Sequence, residues 1–354
     1  MKKLSVCVLF GGVSPEHEVS LRSAESVLNH IDQEKYNVFH VGITKDGDWV
    51  QFGGKDYSML PTGLWLDHPD NRRAAISPVR GQGLLSFEND CVIRERIDVV
   101  FPVLHGENGE DGSIQGLLQI AGIPYVGSHL ASSAVCMDNT LTKLVAGLAG
   151  VRQADWVLVT KNGFQRDAQA VCATVEGKFR YPVFVKPAGT GSSVGVSKAK
   201  TQQELLDAVE NALRFDKKVL VEEFIDGREI EVAVLGNDTP MASICGEIAS
   251  GAEFYDYDAK YITDTSTSYI PARISEGAEE QVRCLAVKIY EALGCQGLAR
   301  VDFFVTNSGE EVVFNEINTL PGFTSISMYP KLFEASGIPY ASLLDKLIEL
   351  AVEG

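Results

Sequence analysis

The alternation of apolar and polar runs divides the first third of the chain into strands and helices. Residues 4–10 are almost all apolar, as in a strand covered on both faces. An amphipathic helix is predicted over residues 19–31, and further strands over residues 37–43 and 97–104. Ser113 is placed to cap the helix that follows. This order predicts an open α/β domain with a parallel sheet.

The middle of the chain has a different pattern, in which two strands flank a glycine-rich loop. The stretch YPVFVKPAGTGSSVGVSKAK reads as strand, loop and strand, and no helical pattern follows the loop directly. It is therefore predicted to be a hairpin that covers phosphate and not a P-loop. A helix over residues 201–213 and a strand over residues 219–223 complete this unit.

The last third is predicted to be a second α+β unit. Strand patterns cover residues 229–235 and 241–248, and a helix with one apolar face covers residues 278–293. The runs LARVDFFV and EEVVFNEIN, separated by TNSG, predict a β-hairpin. The predicted domains are residues 1–127, 128–223 and 224–354.

Composition and charge exclude several classes of function. The formal net charge is −17, and no basic stripe is present, so binding to nucleic acid or to an anionic membrane is not expected. The seven cysteines form no CxxC pair, which favours free thiols and a cytoplasmic location. The start MKKLSVCVLFGG resembles a signal peptide only superficially, because its apolar run is short.

The final hairpin carries the strongest chemical signal. The period of two places Arg300 and Asp302 on one face of its first strand, and Glu316 and Asn318 on one face of its second. Carboxylate and amide oxygens that converge in this way suit Mg²⁺. The alternative is an exposed polar face of an ordinary hairpin.

Three further groups of residues suggest a nucleotide and a second ligand. Lys186, with Lys143 upstream, and the glycine-rich loop suit phosphate, although a plain β-turn would give the same loop. Glu222 and Glu229 could accept hydrogen bonds from adenine and ribose, or could be two solvated acids. His105 ends an apolar strand at a glycine-rich loop, where open α/β sheets bind ligands, although a lone histidine is often structural.

Six segments together resemble the D-alanine–D-alanine ligases of the ATP-grasp superfamily over nearly the whole chain. They are GGVSPEHEVSLRSA, FPVLHGENGEDGSIQG, VKPAGTGSSVGVSK, FYDYDAKY, GLARVDFF and FNEINTLPGFTSISMYP. The resemblance implies an ATP-grasp architecture, with an N-terminal parallel-sheet domain and two α+β domains that grip ATP. It also implies ATP-dependent joining of two D-alanine molecules through an acyl phosphate, for peptidoglycan precursor synthesis, and a homodimer.

The resemblance also implies roles for individual residues. The residues that it assigns to ATP are Lys143, Lys186, Ser192, Ser193, Glu222, Glu223, Phe224, Ile225, Glu229 and Lys260. Two Mg²⁺ or Mn²⁺ ions would be held by Asp302, Glu316 and Asn318. The residues that it assigns to the substrates and to the reaction are Glu16, His105, Ser192, Tyr261, Arg300, Gly322, Ser327 and Met328.

Within that last set, each residue has a separate implied role. Glu16 would bind the ammonium group of the first D-alanine, with His105 near its carboxylate. Arg300 and the Gly322 N–H would face the oxyanion, and Tyr261 would hydrogen-bond toward Ser192 and Glu16 and so close a lid. The pocket for the second amino acid would be lined by Ser327 and Met328.

Three alternatives remain open from the sequence. A ligase of the same family could add D-serine or D-lactate as its second substrate, since one hydroxyl is hard to reject by shape alone. A non-catalytic nucleotide sensor could use the same scaffold. A carboxylate–amine ligase with another acid would explain the hairpin and loop, but not the segments SPEHEVS and FYDYDAKY.

Overall fold

A computed structural model describes residues 3–191, 194–250 and 266–353, and its named strands form three separate sheets. Among the residues that it describes, no helix is both long and apolar enough to cross a membrane.

The first sheet has seven strands, and its central part is parallel. The strands are β1 (Leu4–Gly11), β2 (Tyr36–Ile43), β3 (Trp49–Gln51), β4 (Arg72–Ile76), β5 (Leu84–Glu88), β6 (Cys91–Glu95) and β7 (Val99–Leu104). Their order is β6-β5-β4-β3-β2-β1-β7, and β1 is parallel to both β2 and β7. Helices α1 (His17–His30) and α2 (Ser113–Ala121) follow β1 and β7. The predicted parallel strands are therefore present.

Two features of this region differ from the sequence-based prediction. Strands β3 to β6 extend the sheet in antiparallel fashion through a segment where no strands were predicted. The prediction that Ser113 caps α2 is wrong, because the helix begins at Ser113 and its N-cap is Gly112, with φ 93°. The Ser113 N–H donates instead to the Asp111 carboxylate at 2.9 Å, so an acid before the helix satisfies that end.

The second sheet has four antiparallel strands and follows two short helices. The elements are α3 (Leu130–Met137), α4 (Asn139–Leu148), β8 (Trp156–Thr160), α5 (Lys161–Arg166), α6 (Ala168–Lys178), β9 (Val183–Pro187), β10 (Ser197–Ala199), α7 (Gln202–Ala212) and β11 (Lys218–Glu223). The strand order is β10-β9-β11-β8. Strands β9 and β10 form the predicted hairpin around the glycine-rich loop. The buried side chains Val175 and Val209 pack α6 and α7 on this sheet.

The third sheet has five antiparallel strands and carries the C-terminal helices. The elements are β12 (Gly227–Leu235), β13 (Met241–Ser250), β14 (Ser266–Tyr269), α8 (Glu276–Ala292), β15 (Leu298–Thr306), β16 (Val312–Asn318), α9 (Met328–Ala335) and α10 (Tyr340–Glu353). The strand order is β14-β13-β12-β15-β16. Ser275 caps α8, whose buried Val282 and Ile289 pack with Val301 and Phe303 on one face of the sheet. On the opposite face, Ala233 of β12 and Ile248 of β13 belong to one buried cluster with Tyr329 and Leu332 of α9.

Two cores connect the sheets to one another. Leu343 and Leu347 of α10 belong to the same buried cluster as Leu28 of α1, which joins the C-terminal helices to the first sheet. Cys136 of α3 and Ala146 of α4 belong to the core under α8. The boundaries of the three predicted domains remain a prediction.

Candidate active site

A cleft of about 540 Å³ lies between the second and third sheets. Strands β9 and β11 line one side, and β12, β13, β15 and β16 line the other. The polar residues that face it include Lys186, Glu222, Glu229, Asp302 and Glu316. Lys186 of the predicted phosphate residues and Asp302 and Glu316 of the predicted metal residues are thus brought to one cavity, whose size suits a nucleotide.

The second sheet contributes two buried lysines that share one carboxylate. Lys143 Nζ lies 2.9 Å from Glu222 Oε1, and Lys186 Nζ lies 3.0 Å from Glu222 Oε2. Lys143 is 1% exposed and Glu222 is 5% exposed. Lys186 and Glu222 meet because they lie on one face of adjacent strands, where Lys186 pairs with Leu220 and Glu222 with Phe184. The group carries a net positive charge, which suits an anion.

The pKa values reflect this arrangement. Burial opposes the negative charge of Glu222, but the two ammonium groups outweigh it and hold the pKa of the carboxyl below its usual value. Burial, and repulsion from Lys186, lower the pKa of Lys143 although Glu222 opposes that change. One carboxylate therefore cannot fully offset two buried cations, and a bound polyanion would relieve the imbalance.

The stability of the fold is expected to depend on Glu222. Replacing Glu222 with alanine leaves two buried ammonium groups without a carboxylate, which should cost about 3–5 kcal/mol of unfolding free energy. Urea denaturation followed by circular dichroism would measure this loss. Glu311→Ala, which removes an exposed carboxylate paired with Arg152, should change stability by less than about 1 kcal/mol. Equal effects of both variants would contradict the structural role of Glu222.

On the third sheet, four polar residues share one face of the predicted hairpin. Arg300 pairs with Asn318 and Asp302 pairs with Glu316 in the antiparallel register of β15 and β16. A β-bulge follows directly, because the next pair is Phe303 with Phe314. Residues directly opposite each other project to the same side of a sheet, so the hairpin presents the cluster that the sequence predicted.

Within this cluster, Arg300 and Asp302 form a two-point ion pair. Arg300 Nε donates to Asp302 Oδ1 at 2.8 Å, and one terminal nitrogen donates to Oδ2 at 2.7 Å. Glu231 of β12 approaches the same guanidinium, with its Oε2 3.3 Å from Nε. Burial opposes the charge of Arg300, but Asp302 and Glu231 outweigh it and keep the pKa of the guanidinium well above its ordinary value.

The donor set of the hairpin fits a hard divalent cation. Asp302, Glu316 and Asn318 supply two carboxylates and an amide oxygen, the ligand types that Mg²⁺ and Mn²⁺ take. The Asn318 amide already lies 3.3 Å from Asp302 Oδ2, so two of the three side chains meet. Among the described residues no cluster of three or more His, Cys, Asp or Glu side chains could hold a metal ion, and the hairpin offers two carboxylates and an amide instead.

A second crevice lies at the carboxyl ends of β1 and β7. Chain connections leave these neighbouring parallel strands toward α1 and α2, the arrangement at which open α/β sheets bind ligands. Glu16, the N-cap of α1, and His105, directly after β7, are both buried there. The His105 Nε2 lies 3.3 Å from Ser23 Oγ, and its Nδ1 lies 3.1 Å from the Leu320 carbonyl oxygen. Burial lowers the pKa of His105 although the nearby Glu16 opposes the change.

Glu110 is an acid of this crevice that the sequence analysis did not single out. Its Oε2 accepts the Gly106 N–H at 2.7 Å and so closes the loop after His105. Burial, together with the charge of Glu16, raises the pKa of Glu110 to about 8. Glu110 also lines a small cavity with Lys186 and Glu316. The motif HGENGEDG contains three acids, and nothing in its pattern distinguishes the inward-facing Glu110 from the exposed Glu107.

Two glycines allow the crevice and the glycine-rich loop to approach each other. A Cβ on Gly106, whose φ is 67°, would lie 2.6 Å from Ser14 Oγ and 2.7 Å from Glu16 Oε2. A Cβ on Gly191, in the loop between β9 and β10, would lie 2.9 Å from Glu16 Oε2. Any larger residue would therefore displace Glu16. The first sheet and the glycine-rich loop meet at this carboxylate.

The segment after β16 connects the crevice to the third sheet. The Phe323 N–H donates to Ser23 Oγ at 3.2 Å, which holds Gly322 beside α1. Ser327 Oγ accepts the Thr324 N–H at 3.0 Å and lies beside Gly322. Met328, the first residue of α9, is buried against Gly246 of β13. The predicted residues Gly322 and Ser327 thus lie beside each other, near the Ser23 hydroxyl that His105 also contacts, whereas Met328 packs on β13.

The remaining predicted residues fall into two groups. Glu223, Phe224, Ile225 and Glu229 all line the cleft, and the Phe224 ring stacks on Phe184 at 6.0 Å between centroids. Ser192, Ser193, Lys260 and Tyr261 lie outside the described residues. Glu231 was not predicted, although its spacing of two from Glu229 would place it on the same face of β12.

This combination of fold and site defines an ATP-grasp ligase. Two antiparallel sheets enclose a cleft with paired lysines on one side and a carboxylate-rich hairpin on the other, beside a crevice of a parallel-sheet domain. Family models for the D-ala D-ala ligase N-terminus and C-terminus match residues 5–128 and 145–349. The chain belongs to the D-alanine–D-alanine ligase family.

Individual relatives agree with this assignment. The chain is 52% identical to the D-alanine–D-alanine ligase of Acetivibrio thermocellus, with 99% of this chain and 96% of that protein covered. It is 49% identical to that of Caldicellulosiruptor bescii, with 100% and 96% covered. The predictions of the family, the ATP-grasp fold and a ligase are confirmed, and membership of this family implies the use of ATP.

Solved structures similar to this chain include ligases of two specificities. The VanG D-Ala:D-Ser ligase from Enterococcus faecalis superimposes with a TM-score of 0.89 at 40% identity, over 99% of this chain and 100% of that one. The D-alanine–D-alanine ligase from Coxiella burnetii gives 0.85 at 38% identity, over 100% and 95%. The overall fold alone therefore does not distinguish D-alanine from D-serine as the second substrate.

Proposed function

We propose that this protein joins two D-alanine molecules to D-alanyl-D-alanine in the cytoplasm and converts ATP to ADP and phosphate. The observation that carries this proposal is the single cleft that holds Lys186, Glu222, Asp302 and Glu316 beside the Glu16 crevice. The product would enter peptidoglycan precursor synthesis. The family resemblance adds a homodimer to the proposal.

ATP would occupy the cleft between the second and third sheets. Its adenine would lie beside Glu222, Glu223, Phe224 and Ile225, which line the cavity where β11 ends, and Glu229 would accept from the ribose hydroxyls. Lys143 and Lys186 would bind the phosphates, because the shared carboxylate leaves them with an excess positive charge. Ser192, Ser193 and Lys260 complete the proposed nucleotide set.

Asp302, Glu316 and Asn318 would hold two Mg²⁺ or Mn²⁺ ions. Bound there, the cations would neutralise charge on the transferring phosphoryl group. The chain's own contribution is to place these oxygens in the cleft that Lys186 also lines. Exclusion of water from this cleft would matter, because an acyl phosphate hydrolyses in water.

The first D-alanine would lie in the crevice of the first sheet. Glu16 would bind its ammonium group, and His105, which Ser23 and the Leu320 carbonyl fix in orientation, would lie near its carboxylate. That carboxylate would attack the γ-phosphate, so the acyl phosphate forms between the crevice and the cleft. Close contact of Gly191 with Glu16 brings these two sites together.

The second D-alanine would attack the acyl phosphate through its amino group. Arg300 and the Gly322 N–H would stabilise the tetrahedral oxyanion, and Ser192 and Tyr261 would close the site over the first amino acid. Ser327 and Met328 would line the pocket of the second side chain. The buried Met328 offers an apolar surface, which favours a methyl group over a hydroxymethyl group.

Product analysis tests this proposal directly. With ATP, Mg²⁺ and D-alanine, phosphate release should depend on D-alanine, and mass spectrometry should find D-alanyl-D-alanine. With D-alanine and D-serine at equal concentrations, the mixed dipeptide should be the minor product, by about tenfold, since a hydroxyl is rejected only modestly by an apolar pocket. D-alanyl-D-serine or D-alanyl-D-lactate as the main product would overturn the assignment of the second substrate.

A further inference from the structure

Glu231 is a carboxylate of the active-site cleft that belongs neither to the proposed metal set nor to the proposed ATP set. It lies on β12 directly opposite Asp302 in the antiparallel register, and it faces the cleft. Its Oε2 is 3.3 Å from Arg300 Nε, and the side chains of Glu231 and Arg300 are 12% and 19% exposed. Arg300 therefore lies within reach of two carboxylates, on neighbouring strands.

Asp302 takes part in one observed interaction and one proposed interaction. Both of its oxygens are bonded to Arg300, at 2.8 and 2.7 Å. The proposed function also requires Asp302 to hold a divalent cation with Glu316 and Asn318. A guanidinium and a metal ion both bind the lone pairs of the carboxylate oxygens. The two interactions therefore compete unless Arg300 has another partner.

We propose that Glu231 is that partner, a positioning residue that holds Arg300 when Asp302 binds the divalent cation. The inference rests on the proposed metal role of Asp302. A buried guanidinium requires a counter-charge, and Glu231 is the carboxylate that can supply it from β12. Glu231 thereby keeps Arg300 directed at the reacting atoms and frees Asp302.

The inference predicts weaker cation binding when Glu231 loses its charge. In Glu231→Gln, Asp302 is the one carboxylate left within ion-pair distance of Arg300 among the described residues, so the dissociation constant of Mn²⁺ in the presence of ADP should rise by about tenfold. Electron paramagnetic resonance of free Mn²⁺ measures this without turnover. In parallel, the Mg²⁺ concentration that gives half-maximal activity should rise. The fold-decrease in kcat at saturating Mg²⁺ should be smaller than the fold-decrease in metal affinity.

A double-mutant cycle separates competition from simple charge. In an Arg300→Gln background, Glu231→Gln should change the Mn²⁺ dissociation constant by less than about twofold, because the competing guanidinium is gone. Glu247→Gln is the matched control, since Glu247 lines the same cleft but pairs with Arg273. It should also leave Mn²⁺ binding within about twofold.

Each outcome decides a separate point. An unchanged Mn²⁺ affinity in Glu231→Gln, or an equal loss in the Arg300→Gln background, would overturn the role of Glu231. If Glu316→Ala also leaves Mn²⁺ binding unchanged, the metal assignment itself is wrong. If circular dichroism shows that Glu231→Gln misfolds, Glu231→Asp is the second variant, because it keeps the charge but has a shorter side chain. It should still weaken Mn²⁺ binding severalfold. Wild-type Mn²⁺ affinity in Glu231→Asp would contradict the inference.

Discussion

Replacing Glu316 with alanine is expected to lower kcat by about three orders of magnitude, from the several kcal/mol of charge stabilisation that a bound cation gives. Glu316 lies opposite Asp302 at the last regular pair before the bulge, on the face that lines the cleft. Its removal leaves one carboxylate and one amide in the proposed metal set. Steady-state phosphate release with saturating D-alanine and ATP measures the loss.

The control for this prediction lies in the same hairpin. Glu311 precedes β16, is exposed and pairs only with Arg152 among the ion pairs described for it, so Glu311→Ala should keep kcat within about twofold. Far-ultraviolet circular dichroism should show both variants folded. Wild-type turnover in Glu316→Ala would remove Glu316 from the metal site, whereas a large loss in Glu311→Ala would indicate a general defect of the hairpin.

Local pattern predicted most of the elements around the site. The polar face of β15 and β16 was visible because a period of two singles out Arg300, Asp302, Glu316 and Asn318 between apolar neighbours. The hairpin of β9 and β10 was visible because no helical pattern follows its glycines. Strands β3 to β6 were missed, since they are short and most of their residues are exposed or only partly buried.

Contacts between distant segments could not be predicted in the same way. The triad of Lys143, Lys186 and Glu222 joins a helix to two strands of a sheet, and nothing in the sequence states that the three side chains meet. The same holds for His105 and the Leu320 carbonyl, which are 215 residues apart. Tertiary packing decides such contacts, and single-sequence patterns report only local geometry.

Arg300→Lys is expected to lower the rate of dipeptide formation by about 10²–10³-fold, the cost of removing one oxyanion donor. Lysine keeps the positive charge but cannot reproduce the planar fork that now bonds both oxygens of Asp302. Because the positive charge at position 300 is kept, KM for ATP should change by only a few-fold. Arg273→Lys, which alters a comparable pair with Glu247, is the matched control and should cost much less.

Trapping the intermediate assigns this loss to one of the two chemical steps. Hydroxylamine converts an acyl phosphate to a hydroxamate, so it reports the first step without the attack by the second D-alanine. If Arg300 stabilises the oxyanion of that attack, hydroxamate formation in Arg300→Lys should fall far less than dipeptide formation. An equal fall in both would place Arg300 in phosphoryl transfer instead, through its contact with Asp302. The guanidinium would then act on the metal carboxylate and not on the tetrahedral intermediate.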